Sequence, residues 1–357
     1  EIIANRASEM MGGIIGSREP VHPNDHVNFG QSSNDVIPTA IHVAANIEIE
    51  TKLIPSLKNL ADALNDKAHQ FKDIVKIGRT HLQDATPICL GQEFSGYVQQ
   101  IRNGIKRLKN CQSFLSELAQ GGTAVGTGIN THKEFGYLIA KEISDFSGVE
   151  FKEAANHFEA QAAQDASVET SGALKTVAVS LSKIANDIRW LGSGPRAGLG
   201  ELSLPTVQPG SSIMPGKVNP VICESMIQVC AQVIGNDTVV AVGGMGGVFE
   251  LNLMLPVIAH NLLQSIDILD GASKMFKNSV IDDLIANNDV CSDYIEGSLA
   301  MCTSLAPVIG YDKAAHIAHR AHETGKTVRE IAMEQNILPE SELNILLDPK
   351  MMTKPNS

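Results

Sequence analysis

The stretch Gly210-Ser211-Ser212-Ile213-Met214-Pro215-Gly216-Lys217-Val218-Asn219-Pro220-Val221-Ile222-Cys223-Glu224 decides the fold. A glycine followed by two small hydroxyl residues frees the backbone to take unusual angles. Lys217 and Asn219 can both grip a carboxylate. Asn219 is a good N-cap and Pro220 suits the first helical position, so a helix is predicted from about Pro220. The loop then ends on a helix N-terminus, where free N–H groups and the macrodipole favour an anion. A P-loop has four residues between its glycines and Ser or Thr after its lysine. Here five residues separate Gly210 from Gly216 and Val218 follows Lys217, which excludes a nucleotide loop. The ordinary alternative is a Gly/Pro turn between helices with Lys217 solvated.

Outward from this loop, the pattern is helical. Residues 220–242 and 251–277 read as helices separated by Gly243-Gly244-Met245-Gly246-Gly247. A long helix is predicted from about Phe158 to Leu191, apolar around much of its circumference and so buried on most sides. Residues 192–219 between them form a long loop, and loops of that length in compact domains tend to be functional. Upstream, Gln31-Ser32-Ser33-Asn34-Asp35 caps a helix that Pro55 should kink or restart. Residues 74–79 suggest an extended segment, Thr80 to Asp84 a polar bend. Thr86-Pro87 then predicts the start of a helix reaching about Leu118. Gly121 to Gly128 reads as a flexible glycine loop, a hinge or packing element rather than a ligand cradle. His22-Pro23-Asn24-Asp25 is a turn by composition. Beyond about Asn287 the helices shorten, near 291–305, 312–323 and 327–334. The division expected is 1–30, a remnant of an N-terminal domain; 31–288, a central helical bundle; and 289–357, a small C-terminal helical domain.

Composition agrees. Of 357 residues, 43% are hydrophobic but only 4% aromatic, so Ala, Leu, Ile and Val fill the core and favour helices. A net charge of −12 without a basic block argues against nucleic acid and anionic membrane surfaces as partners. An anionic substrate would need a local positive site. Six scattered cysteines without a Cys-x-x-Cys pair point to a reducing compartment and free thiols. Cys223 and Cys230 share a helix face, which suits core packing better than a metal. No run is expected to reach membrane-spanning length. The chain opens at Glu1 inside an apparent helix, so it reads as cut at the N-terminus and no transit peptide can be judged.

Four polar patches stand at helix ends: His22 to Asp25, Ser32 to Asn34, Thr80-His81, and the loop from Gly210. Taken singly each has a structural reading as turn, cap or surface residue. Together, His81 and Glu224 could form an acid/base and its orienting partner, with Glu224 tuning His81 or a water it holds.

Gly-Ser-x-x-Met-x-x-Lys-x-Asn from Gly210, Ser32-Ser33-Asn34-Asp35, and Gly78-Arg79-Thr80-His81-Leu82-Gln83-Asp84-Ala85-Thr86-Pro87 resemble the three defining regions of the fumarase/aspartase superfamily. The resemblance runs from Glu1 to about Asn356. Gly216, Ser33, Gly122 and Thr86 look like class II fumarase, since aspartases usually carry Ala, Thr, Ala and Val there. His81 does not separate the two, and Ala197 stands where fumarases often have Cys. The resemblance implies an all-α protomer with a central bundle of long helices in a homotetramer whose active sites are shared between subunits. It implies reversible hydration of fumarate to L-malate by acid/base catalysis through an aci-carboxylate carbanion, with no cofactor and no metal. An ammonia lyase of the aspartase type, or a non-catalytic structural relative, are the alternatives. By resemblance Ser211 is the catalytic base, and His81 is the other acid/base residue, acting with Glu224 through water. Ser32, Ser33, Asn34, Thr80, Ser212, Lys217, Val218 and Asn219 bind the dicarboxylate. His22, Pro23, Asn24 and Asp25 resemble a second anion site. A further Ser/Thr substrate segment of the family lies before Glu1. The location implied is the cytoplasm, or the mitochondrial matrix in a eukaryote.

Overall fold

The computed structural model describes residues 1–355, so the last two positions of the expected C-terminal domain, Asn356 among them, lie outside it. In chain order, α1 (Ile2–Met10) is followed by a π-turn (Pro23–Val27) and α2 (Ser33–Glu48). A second π-turn (Ile49–Leu53) leads into α3 (Ile54–Gln70). Strands β1 (Val75–Thr80) and β2 (Gln83–Cys89) precede α4 (Leu90–Leu115). After β3 (Glu117–Leu118) come α5 (Phe135–Ser147), β4 (Lys152–Glu153), α6 (His157–Ala162), α7 (Asp165–Leu191) and β5 (Leu202–Ser203). The second half runs α8 (Val221–Gly244), β6 (Gly247–Val248), β7 (Leu251–Asn252), α9 (Leu255–Phe276) and β8 (Ile285–Ala286). It closes with α10 (Asn288–Gly297), α11 (Ala306–Ile309), α12 (Tyr311–Thr324), α13 (Val328–Glu334) and α14 (Glu340–Leu346). Helices dominate; among the described residues the strands form only two-stranded pairs.

Several expectations are corrected. Thr86-Pro87 does not open a helix. Both residues lie in β2, where Pro87 pairs with Ile77 in a two-stranded hairpin; a strand with an unpaired edge tolerates a missing N–H. The helix starts at Leu90. The predicted 158–191 helix is two helices, because Ala163 adopts an extended backbone (φ −82°, ψ 145°) that ends α6. Pro55 does restart the helix: the hydrogen-bond ladder passes through the π-turn at Ile49–Leu53 and resumes as α3. The helix after the Ser211 loop begins at Val221, with the Glu224 N–H donating to the Pro220 carbonyl. Contrary to the expectation about membrane length, α8 is long and apolar enough to span one by length and composition, with a mean hydropathy of 1.2.

The chain clusters into two compact units. The first comprises 1–57, 103–179 and 228–272. Its long helices are laced by buried polar contacts. Ser56 bonds Asp270, Ser171 donates to Asp237 at 2.9 Å, and Asn236 donates to Ser265 at 3.1 Å. Asn236 and Asp237 thus place paired polar groups midway along the apolar α8. The second unit comprises 58–102, 180–227 and 273–357. Here Phe71, Phe94 and Tyr97 stack edge to face at 5.2 and 5.4 Å, and the Tyr97 hydroxyl donates to Asp187 at 3.1 Å. Gly91, at the start of α4, lies so near the end of α3 that a β-carbon would collide with the Ala68 carbonyl and the Lys72 backbone. A separate apolar cluster, including Leu305, Ile317, Ile331 and Leu343, forms under α10 to α14.

On α2, His42 is buried and its Nδ1–H donates to the Glu117 carbonyl at 2.8 Å. It lines a cleft of about 220 Å³ with Glu117, Glu159, Asp165 and Glu169. Burial outweighs the Glu117 hydrogen bond and charge, and holds the imidazole below its ordinary range, hence neutral. A lowered native value means that the unfolded chain binds the extra proton first. The stabilisation is therefore present above pH ~6.5 and is lost as pH falls below it. His42→Gln should cost stability at pH 7.5 and progressively less at pH 6 and 5, read as urea midpoints against wild type. A cost that is constant or grows on acidification contradicts a neutral buried imidazole.

Candidate active site

The Ser211 loop closes on itself. The Ser211 N–H donates to the Lys217 carbonyl at 3.0 Å and the Lys217 N–H to the Met214 carbonyl at 3.2 Å. Two glycines permit this. A β-carbon at Gly210 would collide with the Lys217 carbonyl, and Gly216 sits at φ +84°. Inside the closed loop the Ser211 Oγ accepts from the Ile213 and Met214 N–H groups, at 3.3 and 3.2 Å. Two donors on one hydroxyl oxygen favour its negative form. Ser212, Lys217 and Val218 are exposed, Ser211 and Asn219 half-buried. Lys217, Val218 and Asn219 line a cleft of about 580 Å³ whose other wall includes Arg189, Trp190 and Pro195.

Thr80 and His81 form the tip of the β1–β2 hairpin. Thr80 pairs with Gln83, and the two central residues, His81 and Leu82, have φ of 55° and 58°. Tight hairpin turns of this kind need positive φ at both positions and usually take Asn or Gly. His and Leu there are strained, and such strain persists only where the surroundings over-determine it. Both side chains are presented to solvent. Glu224 lies in the first turn of α8, half-buried. Within this unit no hydrogen bond joins His81, Glu224 and Ser211 to one another among the described residues.

In the other unit the patch Ser32-Ser33-Asn34 is built around one buried carboxylate, that of Asp35. Ser32 caps α2, its hydroxyl accepting from the Asn34 N–H at 3.2 Å. Asp35 Oδ1 accepts the Ser32 N–H at 2.9 Å, completing a capping box. Asp35 Oδ2 accepts from Gln120 Nε2, the Gly121 N–H and the Thr123 N–H at 3.1, 3.1 and 2.9 Å. The Asn34 amide donates to the Ala124 carbonyl at 2.7 Å. The glycine loop is therefore no free hinge: it wraps an internal anion and positions the patch. Asp35 was recognisable as the fourth member of a Ser-x-x-Asp box; its partners 85 to 88 residues away had no local signal. The His22 to Asp25 turn is capped by its own histidine, whose Nδ1 accepts the Asn24 and Asp25 N–H groups, both at 3.2 Å.

A family model described as Lyase matches residues 1–235, and one described as Fumarase C C-terminus matches 301–354. The chain is 56% identical over 352 residues to a mitochondrial fumarate hydratase of Rhizopus oryzae, covering 99% of the chain and 71% of that relative. It is 52% identical over 355 residues to the protein named fumarate hydratase class II 2 of Bradyrhizobium diazoefficiens, covering 99% and 75%. It superposes on the crystal structure of recombinant class II fumarase from Schistosoma mansoni with a TM-score of 0.97 at 40% identity, covering 100% of the chain and 78% of that structure. The chain belongs to the class II fumarase family. Two positions that looked fumarase-like have physical reasons in this class II fumarase. Gly122 leaves room for the buried Gln161 amide, which a β-carbon would strike, and Gly216 adopts the left-handed conformation.

Asp35→Ala should destabilise this fumarase by at least about 3 kcal/mol, since the buried Gly121 and Thr123 N–H groups, the buried Gln120 amide and the half-buried Ser32 N–H lose their acceptor. Chemical denaturation should show this loss together with faster amide exchange at Gly121 and Thr123. A midpoint within experimental error of wild type would refute the internal-anion role.

Proposed function

We propose that this class II fumarase reversibly hydrates fumarate to L-malate, with Ser211 as the base. The observation that carries the reading is the Ser211 hydroxyl, which accepts two backbone N–H groups in a loop that also presents Lys217 and ends on the α8 N-terminus. A serine alkoxide is otherwise too basic to persist near neutrality; fixed N–H donors and a nearby ammonium stabilise it. In the dehydration direction, from malate to fumarate, the Ser211 oxygen takes the C3 proton. The electron pair left on carbon spreads into the adjacent carboxylate as an aci-carboxylate. Lys217, Asn219, the hydroxyls of Ser32, Ser33, Thr80 and Ser212, the Asn34 amide and the Val218 backbone bind the two carboxylates, and preorganised donors of this kind are typically the largest catalytic term. The C2–O bond then breaks with its electrons on oxygen. The departing hydroxide takes a proton by way of His81, oriented with Glu224 through water, and leaves as water.

The working form proposed is a homotetramer with sites shared between subunits. Two features support it. Apolar side chains stay exposed on the long helices, among them Val179, Ile234 and Val242, and the site segments of a single chain face solvent. The three-part division 1–30, 31–288 and 289–357 is retained for this tetramer. His22 to Asp25 is proposed as the second anion site, where an incoming anion would compete with the His22 ring for the same N–H groups. Matched relatives include mitochondrial and bacterial enzymes, which supports a matrix or cytoplasmic location.

Ser211→Ala should lower both hydration and C3–H exchange with solvent by about 10²–10⁴-fold, without loss of helicity. Refolded together with His81→Asn, it should regain activity that neither variant shows alone, because mixed tetramers contain sites with both residues intact. More than half of wild-type turnover in Ser211→Ala refutes its role as base. Background activity in verified mixed tetramers refutes the shared site.

A further inference from the structure

We propose that Arg79 and Glu201 are positioning residues that hold the Thr80–His81 hairpin tip and the stem of the Ser211 loop in one geometry, an inference resting on the roles proposed above for His81 and Ser211. Glu201 is fully buried. It stands at the entry to β5, ten residues before Ser211 in sequence. Both its oxygens are gripped by the Arg79 guanidinium, Nη1 to Oε2 at 2.8 Å and Nη2 to Oε1 at 3.0 Å. Lys76, 1% exposed, lies 3.3 Å from the same Oε2 and 3.1 Å from Glu93. Two cations and two carboxylates balance in this buried cluster, which is the condition for burying any of them.

The geometry fixes both partners of the pair. On the hairpin, Arg79 immediately precedes Thr80. The strand register shifts between Ile77 and Arg79, and an irregularity of this kind re-aims a side chain. On the loop, the Asn287 N–H donates to the Glu201 carbonyl at 2.9 Å and its side-chain amide to the Gly200 carbonyl at 2.7 Å. The Arg79 guanidinium also lies 5.8 Å from the Tyr294 ring, whose hydroxyl donates to the Gly198 carbonyl at 3.2 Å. Residues 198–201 are thus pinned from three sides, while 206–218 are exposed apart from Ser211. The strained φ values at His81 and Leu82 are held by the strand pairing below them and by this anchor. A planar fork that makes two parallel bonds fixes orientation as well as charge, which a lysine cannot do.

Arg79→Lys keeps the charge and removes the fork; Glu201→Gln removes the charge and keeps the shape. Both are to be made in the full chain and compared with wild type by hydrogen exchange over residues 77–84 and 194–205, and by kcat per folded molecule. Either variant should speed exchange several-fold in both segments, including the one that carries no substitution. In Arg79→Lys, kcat per folded molecule should fall about 10–100-fold, the loss expected from displacing a reacting group by about an ångström, while the thermal midpoint moves little. Faster exchange confined to the substituted segment, or a kcat within about twofold of wild type, overturns the proposal. Coupled exchange in a wild-type chain that hydrates no fumarate would support the tether and overturn the roles given to His81 and Ser211.

Discussion

A carboxylate without access to water must be neutralised where it lies. The effective penalty of burying one is several kcal/mol even after relaxation, and Glu201 has no exposed surface. Its partners come from a hairpin 122 residues away in sequence. One buried anion therefore obliges two distant segments to meet, and those segments end in the hairpin tip and in the loop that carries Ser211. Residues three apart point to opposite faces of a regular strand, and the register shift between Ile77 and Arg79 falls between Lys76 and Arg79, which both reach this carboxylate.

Asp35 presents the same problem and solves it differently. Among the described residues no cation pairs with it. Backbone N–H groups of Ser32, Gly121 and Thr123, with the Gln120 amide, occupy its two oxygens. A nest of N–H groups shaped by glycine holds the start of α2, where an ion pair holds the hairpin. In both units a group proposed to meet substrate is thus carried one residue away from a member of a buried charged contact: Asn34 beside the Asp35 carboxylate, and Thr80 beside Arg79, the partner of Glu201. Exposed donors gain fixed positions from buried neighbours, which is what preorganisation requires.

Much of this was legible in the chain. The helix periodicity and the aromatic-poor composition pointed to helices, the resemblance carried by the Gly210 to Asn219 loop pointed to a helical lyase, and family membership bears that out. The misreadings share a cause. Thr86-Pro87 has the local chemistry of a helix start, but strand pairing across the Thr80–Gln83 turn takes precedence over it. Nothing at Ala163 announces a helix break; an extended backbone there reflects tertiary context. Gly121 to Gly128 looked flexible because its ligand, Asp35, lies far off in sequence. Glu201 carried no signal at all, since a lone glutamate in a loop is ordinarily solvated. Pairings over long sequence separations are what local propensity cannot contain.

This chain adds water to fumarate, and the site proposed for it is built around Ser211. The most direct measurement is loss of the fumarate double-bond absorbance with purified protein, with and without ammonium, and with the product identified by NMR. The account predicts L-malate at a rate independent of ammonium. Aspartate formed only when ammonium is present, or no product at all from folded tetramer, would contradict it.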